Sequence, residues 1–538
     1  MRVIGYYISS NGIIANSDNE VTTKPPYLDF LLQPKPDSIR VLYYLVQNIT
    51  SLAKITKMNM KEISQLHNQT HGKCYLPPYK LQYIPHRFLL LQKGYYKNNP
   101  FAYYYDAHQY KNVQAEDCTT EEDCIVKAKE AQKIGEEVRN SLNELGLHPK
   151  GLTSPINLFD KEVISKYNLP KEQDTPEIAG FYAYNCCKGN WLEAFQTGHW
   201  DITWNYDLSS AYPFQIMNLL DIRQGKWINS KQFIEEATYG YCRGEVTINA
   251  EFSPILYKNI LKDKTNLEPV VPVTHTPVGT WKTFLTKKEI EFINKWELGK
   301  FKIEDGWWWI ANQKEVNKPL NGLIYSLYLK KEALGKTINK EIIKRIMAGI
   351  YGKFLEARNK TLGNRFNSVW AAEVETNARL EVADFVLRNN AVQDLIHIAV
   401  DGIILSKPIL LQENGIGKWR LDNVSPCISV GTGQVALRDQ ENGDFHLNYD
   451  WLKRAIEAEP ENNEYIMKSI KPVTLAEVIN DKKLDRLGEL QEVQKYIDIG
   501  RTDKRCYKER PNNGKKLLSM TYSSLSLDIS LLQKIQEV

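Results

Sequence analysis

Two carboxylates stand where chemistry is easily built. Asp207 closes the β-like run ITWNYD (202–207), and the small residues of LSSAYP must then turn the chain away from the sheet edge. A strand-end carboxylate before such a turn suits a metal–phosphate site. The carboxylate is a hard oxygen ligand, and free turn amides can face phosphate oxygens. Asp401 interrupts a second apolar stretch, IHIAVDGIILS. Asp401 and Gly402 read as the two-residue turn of a β-hairpin, since both tolerate positive φ. Two readings stay open there: a plain turn, or a carboxylate presented at the hairpin tip.

The surrounding pattern supplies elements to position them. Up to about residue 125, short β-like runs (RVIGYYIS, IRVLYYLV, HRFLLLQK, FAYYYDAHQY) alternate with polar loops. A helix is predicted over about 124–145, with Ile134, Val138, Leu142 and Leu145 on one face and Gly146 and Pro149 closing it. PKEQDTP (170–176) reads as a connector. A β-rich block over about 178–300 follows, then GWWWI, two basic helical segments around 317–355, and a long helix over about 369–387. Trp307–Trp309 reads as ordinary packing, because consecutive rings in a strand point to opposite faces. From about 440 the chain reads as helical and polar, including TLAEVINDKKLDRLGELQEVQKYI.

Composition bounds the rest. The 538 residues are 42% hydrophobic and 25% charged, enough for several domains, and the net charge is only +4. A globally basic nucleic-acid coat is excluded, so a polyanion site must be a local patch. The strongest candidate is 501–516, RTDKRCYKERPNNGKK, with seven basic and two acidic residues. Such a charge run reads either as a solvated face or, given Tyr507 and the Pro-Asn-Asn-Gly turn, as a loop that tracks a nucleic-acid backbone. No apolar run reaches the length of a membrane span, and MRVIGYYISSNG is too short an apolar stretch for a secretory signal. The eight cysteines show no C-x-x-C or zinc spacing, so reduced thiols and a cytoplasmic location (host cytoplasm, for a virus) are expected.

The string D-x-x-S-x-Y-P at Asp207, Ser210, Tyr212 and Pro213 resembles motif A of family B DNA polymerases. IHIAVDGIILS resembles their motif C, Y-x-D-T-D-S, with Asp401 on the second Asp. Between them KRIMAGIYGKF resembles motif B, K-x-x-x-N-S-x-Y-G, and Lys344, Ala348 and Tyr351 recur on one helical face. The resemblance implies two metals bridged by Asp207 and Asp401, with the Leu208 backbone carbonyl as a further ligand. Such a pair activates the primer 3′-hydroxyl and stabilises in-line nucleotidyl transfer. It makes Mg2+ the cofactor, with Mn2+ as a substitute. It assigns Ser210, Tyr212, Lys344, Tyr351 and one of Lys330 and Lys331 to the incoming dNTP, Tyr212 lying under the sugar and excluding a 2′-hydroxyl. CKGNWLEAFQTG looks like a degraded Y-x-G-G segment, with Gly189 facing template. Gly352 and Lys353, with Arg501, Lys504, Arg505, Lys508, Lys515 and Lys516 of the basic run, are the expected DNA contacts.

The chain departs from the family pattern in four places. Ala399 replaces the first Asp of motif C, with Val400 and Gly402 for Thr and Ser. Ala348 and Gly349 replace Asn and Ser of motif B. The K-x-Y element after motif C has no clear counterpart. The first strand, VIGYYIS, lacks the D-x-E of a proofreading exonuclease. Asp18 and Glu20 lie in a polar loop, and Asp123 stands alone as a relic. Glu193, Glu373 and Asp422 are candidates for an additional ligand.

The fold expected from the resemblance is α+β, a right-hand polymerase with an N-terminal RNase H-like, exonuclease-like domain that is inactive (1–177). Palm (178–310 and 357–440), fingers (311–356) and thumb (441–538) follow. The expected partners are a DNA primer–template, dNTPs and a terminal protein or other replication proteins, with no membrane and a monomeric chain. The small size points to a viral or other mobile element. A catalytically impaired replisome protein, and a primase or protein-primed initiator, are the alternatives on the same palm.

Overall fold

The computed structural model describes residues 1–538 apart from 68–72, 85–87, 95–98, 109, 111–112, 150, 153, 260–272, 336, 359–360, 412–413, 439–446, 500–503, 508 and 538. Two compact units are present. The first comprises Met1–Tyr167, Lys330–Met347 and Lys468–Lys495, and the second comprises Asn168–Leu329, Ala348–Met467 and Tyr496–Val538.

The first unit is built on an eight-stranded mixed sheet. Its strands Arg2–Ile8, Ile14–Asn16 and Val21–Thr22 form an antiparallel meander, and Ser38–Leu42 and Phe101–Asp106 then add parallel to the first. This is the RNase H-like arrangement expected of the region. Arg2–Ile8 is buried from Val3 onward because helices cover both faces, which is why its sequence is a continuous apolar run. The helix Glu121–Glu144 packs so closely that a Cβ on Gly5 would overlap the Ala128 carbonyl. Asp123 belongs to this helix's cap, where Thr120 accepts its amide and donates to its carboxylate at 2.6 Å. Asp18 pairs with Arg2 and Lys35, and Glu20 with Lys35 at 2.7 Å.

The second unit is organised around two larger sheets, of eight and four strands. One runs in the order Gln434–Leu437, Trp419–Gly431, Gln196–Leu208, Gly402–Leu405, Leu395–Ala399, Leu192–Ala194, with Tyr522–Ser526 and Arg505–Tyr507 joining beside Gln196–Leu208. The helix Ser368–Arg388 is buried around most of its circumference, its charged Glu373, Glu375 and Arg379 included. The second sheet orders Gly225–Asn229, Gly299–Ala311, Tyr239–Ile248 and Gly279–Thr286. Trp308 and Trp309 are wholly buried there, donating to the carbonyls of Ser230 and Ile222.

Two predicted stretches differ. Glu177–Cys186, inside the block read as β-rich, is a helix, and it packs against Ser368–Arg388. The helix predicted through TLAEVINDKKLDRLGELQEVQKYI ends at Asp481, where Lys482 turns to φ +56°. Leu490–Asp498 is instead a strand paired with Glu464–Pro472, although its apolar Leu490, Val493 and Ile497 fall at helical spacing. All eight cysteines are free thiols, with Cys506 exposed and Cys187 half-buried. Among the described residues no helix is long and apolar enough to cross a membrane.

Candidate active site

The strand Gln196–Leu208 lies between Gly402–Leu405 and Trp419–Gly431, and Asp207 is near its end. Asp207 registers with Gly402 on one side and Arg420 on the other. The next amide, Leu208 N–H, donates to the Asp401 carbonyl at 2.9 Å, and Ser209 N–H donates to Lys418 at 2.9 Å. The two carboxylate-bearing residues therefore sit at the same end of neighbouring strands. Ser210 then takes φ +53°, a left-handed conformation that reverses the chain into the helix Ala211–Met217.

The hairpin differs by one residue from its sequence reading. Ala399 pairs with Gly402, so the two turn residues are Val400 and Asp401, and Gly402 opens the next strand. Val400 adopts φ +60°, which costs a β-branched residue on the order of 1–3 kcal/mol. Its N–H donates to the Trp191 carbonyl at 2.8 Å, a tertiary bond that holds the turn in this register. Asp401 thus occupies the tip of the hairpin.

The donor set fits a hard divalent cation. Two carboxylates and backbone carbonyls at strand ends can hold Mg2+ only in part, leaving positions for water and phosphate, which is how Mg2+ is usually bound. Among the described residues no group of three or more His, Cys, Asp or Glu forms a closed metal cage. Two of the candidate extra ligands, Glu193 and Glu373, are engaged elsewhere. Glu193 is buried, accepts from Trp191 Nε1 and Thr276, and pairs with Arg505 at 2.9 Å. Burial pushes the Glu373 carboxyl up, opposed by Lys288, and Tyr241 donates to it at 2.9 Å. Asp422 lies 3.6 Å from Arg420.

Arg420 went unrecognised in the sequence. Its guanidinium Nη2 is 2.7 Å from Asp207 Oδ2. The available signal was Lys418-Trp419-Arg420, two cations alternating around a buried Trp at the start of a strand.

Beside the carboxylates stand two tyrosines. The rings of Tyr212 and Tyr351 are 4.9 Å apart at an interplanar angle of 55°. Tyr212 donates its hydroxyl to Asn190 Oδ1 and Tyr351 to Glu375 Oε2, each at 2.9 Å. Burial, then the Glu375 carboxylate, pushes both phenols above their ordinary value, so both remain protonated donors. Gly189, at φ +98°, donates its N–H to Glu375 Oε1 at 2.7 Å.

The structure thus gathers Asp207, Leu208, Asp401, Ser210, Tyr212, Tyr351 and Gly189 within the second unit, with Gly352 exposed and Lys353 paired to Glu356 at 2.8 Å. Lys330, Lys331 and Lys344 belong to the first unit. Lys344 pairs with Glu341 at 2.9 Å, and Lys331, almost buried, with Glu332 at 2.9 Å. Within the basic run, Lys504 donates to the Leu192 carbonyl at 2.9 Å, Lys515 pairs with Glu461 at 3.5 Å, and Lys516 is exposed. Arg501 and Lys508 lie outside the described residues. Arg505 is a correction. It is buried, paired with Glu193 and stacked over Phe195 at 4.4 Å, so its charge is consumed inside the fold and cannot face DNA.

An antiparallel sheet that ends in one carboxylate on a central strand and another on the adjacent hairpin, backed by a long buried helix, is the palm of a right-hand polymerase fold. Comparison with solved structures agrees. The chain matches Phi29 DNA polymerase complexed with primer–template DNA over 93% of its own length and 100% of that chain, with TM-score 0.59 and 11% identity. The ternary complex of Phi29 DNA polymerase with primer–template and incoming nucleotide matches at TM-score 0.58 and 13% identity, over 93% and 99% of the two chains. Its complex with single-stranded DNA matches at TM-score 0.56 and 12% identity, over 93% and 100%. The likeness to family B polymerases read from the motifs holds at the level of the fold. No family model and no curated protein matches the sequence.

Proposed function

We propose that the chain is a DNA-directed DNA polymerase of family B type, adding dNTPs to a primer 3′-hydroxyl on a DNA template. The observation that carries this reading is the placement of Asp207 and Asp401 at the same end of adjacent palm strands, tied by the Leu208 N–H to Asp401 carbonyl bond. Asp207, Asp401 and the Leu208 carbonyl would hold two Mg2+ ions, whose chemistry is to acidify the 3′-hydroxyl and neutralise charge on the phosphates. Tyr212 and Tyr351 shape the pocket for sugar and base, Gly189 faces template, and Lys344 with Lys330 or Lys331 meets the triphosphate. The domain limits given from the motifs are proposed with the same reading, as is loss of proofreading. The acids of the first unit named above support that loss, since Asp18, Glu20 and Asp123 are engaged in ion pairs or a helix cap.

A second reading, a polymerase-like DNA-binding protein without catalysis, draws on the Arg420 guanidinium against Asp207 and on Ala399 at the site of an expected acid. Extension of a labelled DNA primer with Mg2+ and dNTPs separates the two. The polymerase reading requires extension by the parent and a loss on the order of 10³-fold or more in Asp207→Ala and Asp401→Ala. Primer–template binding without extension by the parent establishes the second reading.

A further inference from the structure

Glu375 draws together three parts of the chain that the sequence keeps far apart. It lies on the buried helix Ser368–Arg388 and is itself 4% exposed. Its Oε1 accepts the backbone N–H groups of Lys188 and Gly189, both at 2.7 Å. Its Oε2 accepts the Tyr351 hydroxyl at 2.9 Å. Arg379, one turn along the same helix, lies 3.5 Å from Oε1 and turns its other nitrogen to buried Glu289 at 2.7 Å. Asn190, next after Gly189, accepts the Tyr212 hydroxyl, and the Tyr212 ring rests against that of Tyr351. The hydrogen bonds and ring contact thus close a circuit through Glu375, Lys188–Asn190, Tyr212 and Tyr351.

A buried carboxylate is costly to desolvate, and simple packing would be served by an apolar side chain. What a carboxylate adds is the capacity to accept several donors at once, with no hydrogen of its own to place. Here both oxygens are used, one for a backbone turn and one for a phenol.

We propose that Glu375 is a positioning residue that fixes the turn Lys188–Asn190 and Tyr351 as one rigid piece, so that the template side and the nucleotide side of the pocket are set together. The inference rests on the polymerase reading above. Tyr351 without its acceptor is free to rotate away from the nascent pair, so the loss falls on dNTP binding.

The test is a double-mutant cycle across Glu375→Gln and Tyr351→Phe, reading steady-state KM and kcat for single dNTP addition on a primer–template, with thermal midpoints as a folding control. Each single variant is expected to raise the dNTP KM about three- to tenfold with kcat within about twofold, and the double variant to be no worse than the weaker single. Glu375→Ala, if folded, extends the series with a larger KM, and Gln restores part of the loss because its carbonyl still accepts the two amides. Multiplicative effects in the cycle, or an unchanged KM with only a lower thermal midpoint, overturn the inference and leave the polymerase reading intact. Absence of incorporation by the parent removes that reading and the inference with it.

Discussion

Arg420 and Asp207 are register partners on adjacent antiparallel strands, and their side chains meet at 2.7 Å. The guanidinium is about half exposed and the carboxylate about one quarter. A fixed cation therefore stands on an oxygen that the polymerase reading assigns to a metal. An ion pair this exposed is worth under about 1 kcal/mol. Arg420→Ala is expected to tighten Mn2+ binding, followed by electron paramagnetic resonance, by about two- to fivefold. Weaker binding in the variant would show that Arg420 assists the metal site rather than competing with it.

Tyr212 stands close against Tyr351 and is tethered through its hydroxyl to Asn190. Replacing it by Val opens space at the position assigned to the sugar. Ribonucleotide addition by Tyr212→Val is expected to gain on the order of 10²-fold relative to dNTP addition, read from the ratio of kcat/KM values. An unchanged ratio would remove Tyr212 from sugar selection.

Arg505 and Glu193 form a pair with both side chains at least 96% buried. Deleting one partner leaves an uncompensated charge, an effect of about 3–5 kcal/mol. Arg505→Met should lower the urea midpoint strongly, while the fraction that remains folded binds primer–template as the parent does. A variant of normal stability and weakened DNA binding would restore Arg505 to the interface.

His397 is buried in the strand Leu395–Ala399. Burial, with a smaller push from Lys504, holds its imidazole down at about 3, from an ordinary 6.5. Below pH 6.5 the unfolded chain takes up a proton that the folded chain refuses until about pH 3, so stability falls as pH drops through this window. Between pH 6.5 and 5 the loss is about 2 kcal/mol. Urea titrations across that range should show a steeper pH slope for the parent than for His397→Gln, and equal slopes would assign the acid sensitivity to other groups.

Much of the site was legible because it follows strand periodicity and turn chemistry. ITWNYD ends in a carboxylate at the end of a central strand, and the apolar runs around Asp401 form a hairpin, as their lengths require. The turn was placed one residue late because Asp-Gly is the stronger local signal, whereas the Trp191 carbonyl, 209 positions upstream of Val400, decides the register. Arg505 was misread for the same reason: a charge run reveals nothing of Glu193, 312 residues away. Glu375 and Arg379 did leave a mark, opposite charges at i and i+4 on one helix. Their partners at Tyr351, Gly189 and Glu289 are set by tertiary contact alone. The strand Leu490–Asp498 was read as helix because Leu490, Val493 and Ile497 recur at i, i+3 and i+7, and only its pairing with Glu464–Pro472 makes it extended.

The distribution of thiols has a practical side. Burial holds the Cys186 and Cys187 thiols well above their ordinary range, and of the eight cysteines only Cys506 is openly exposed. It lies in the middle of Arg505–Tyr507, a strand whose pairing with Tyr522–Ser526 leads directly to the strand bearing Asp207. Cys506 is thus the most accessible native attachment point for a maleimide dye, on a strand paired into the sheet that carries Asp207. Optical distance measurements to a labelled primer can begin from the unaltered sequence.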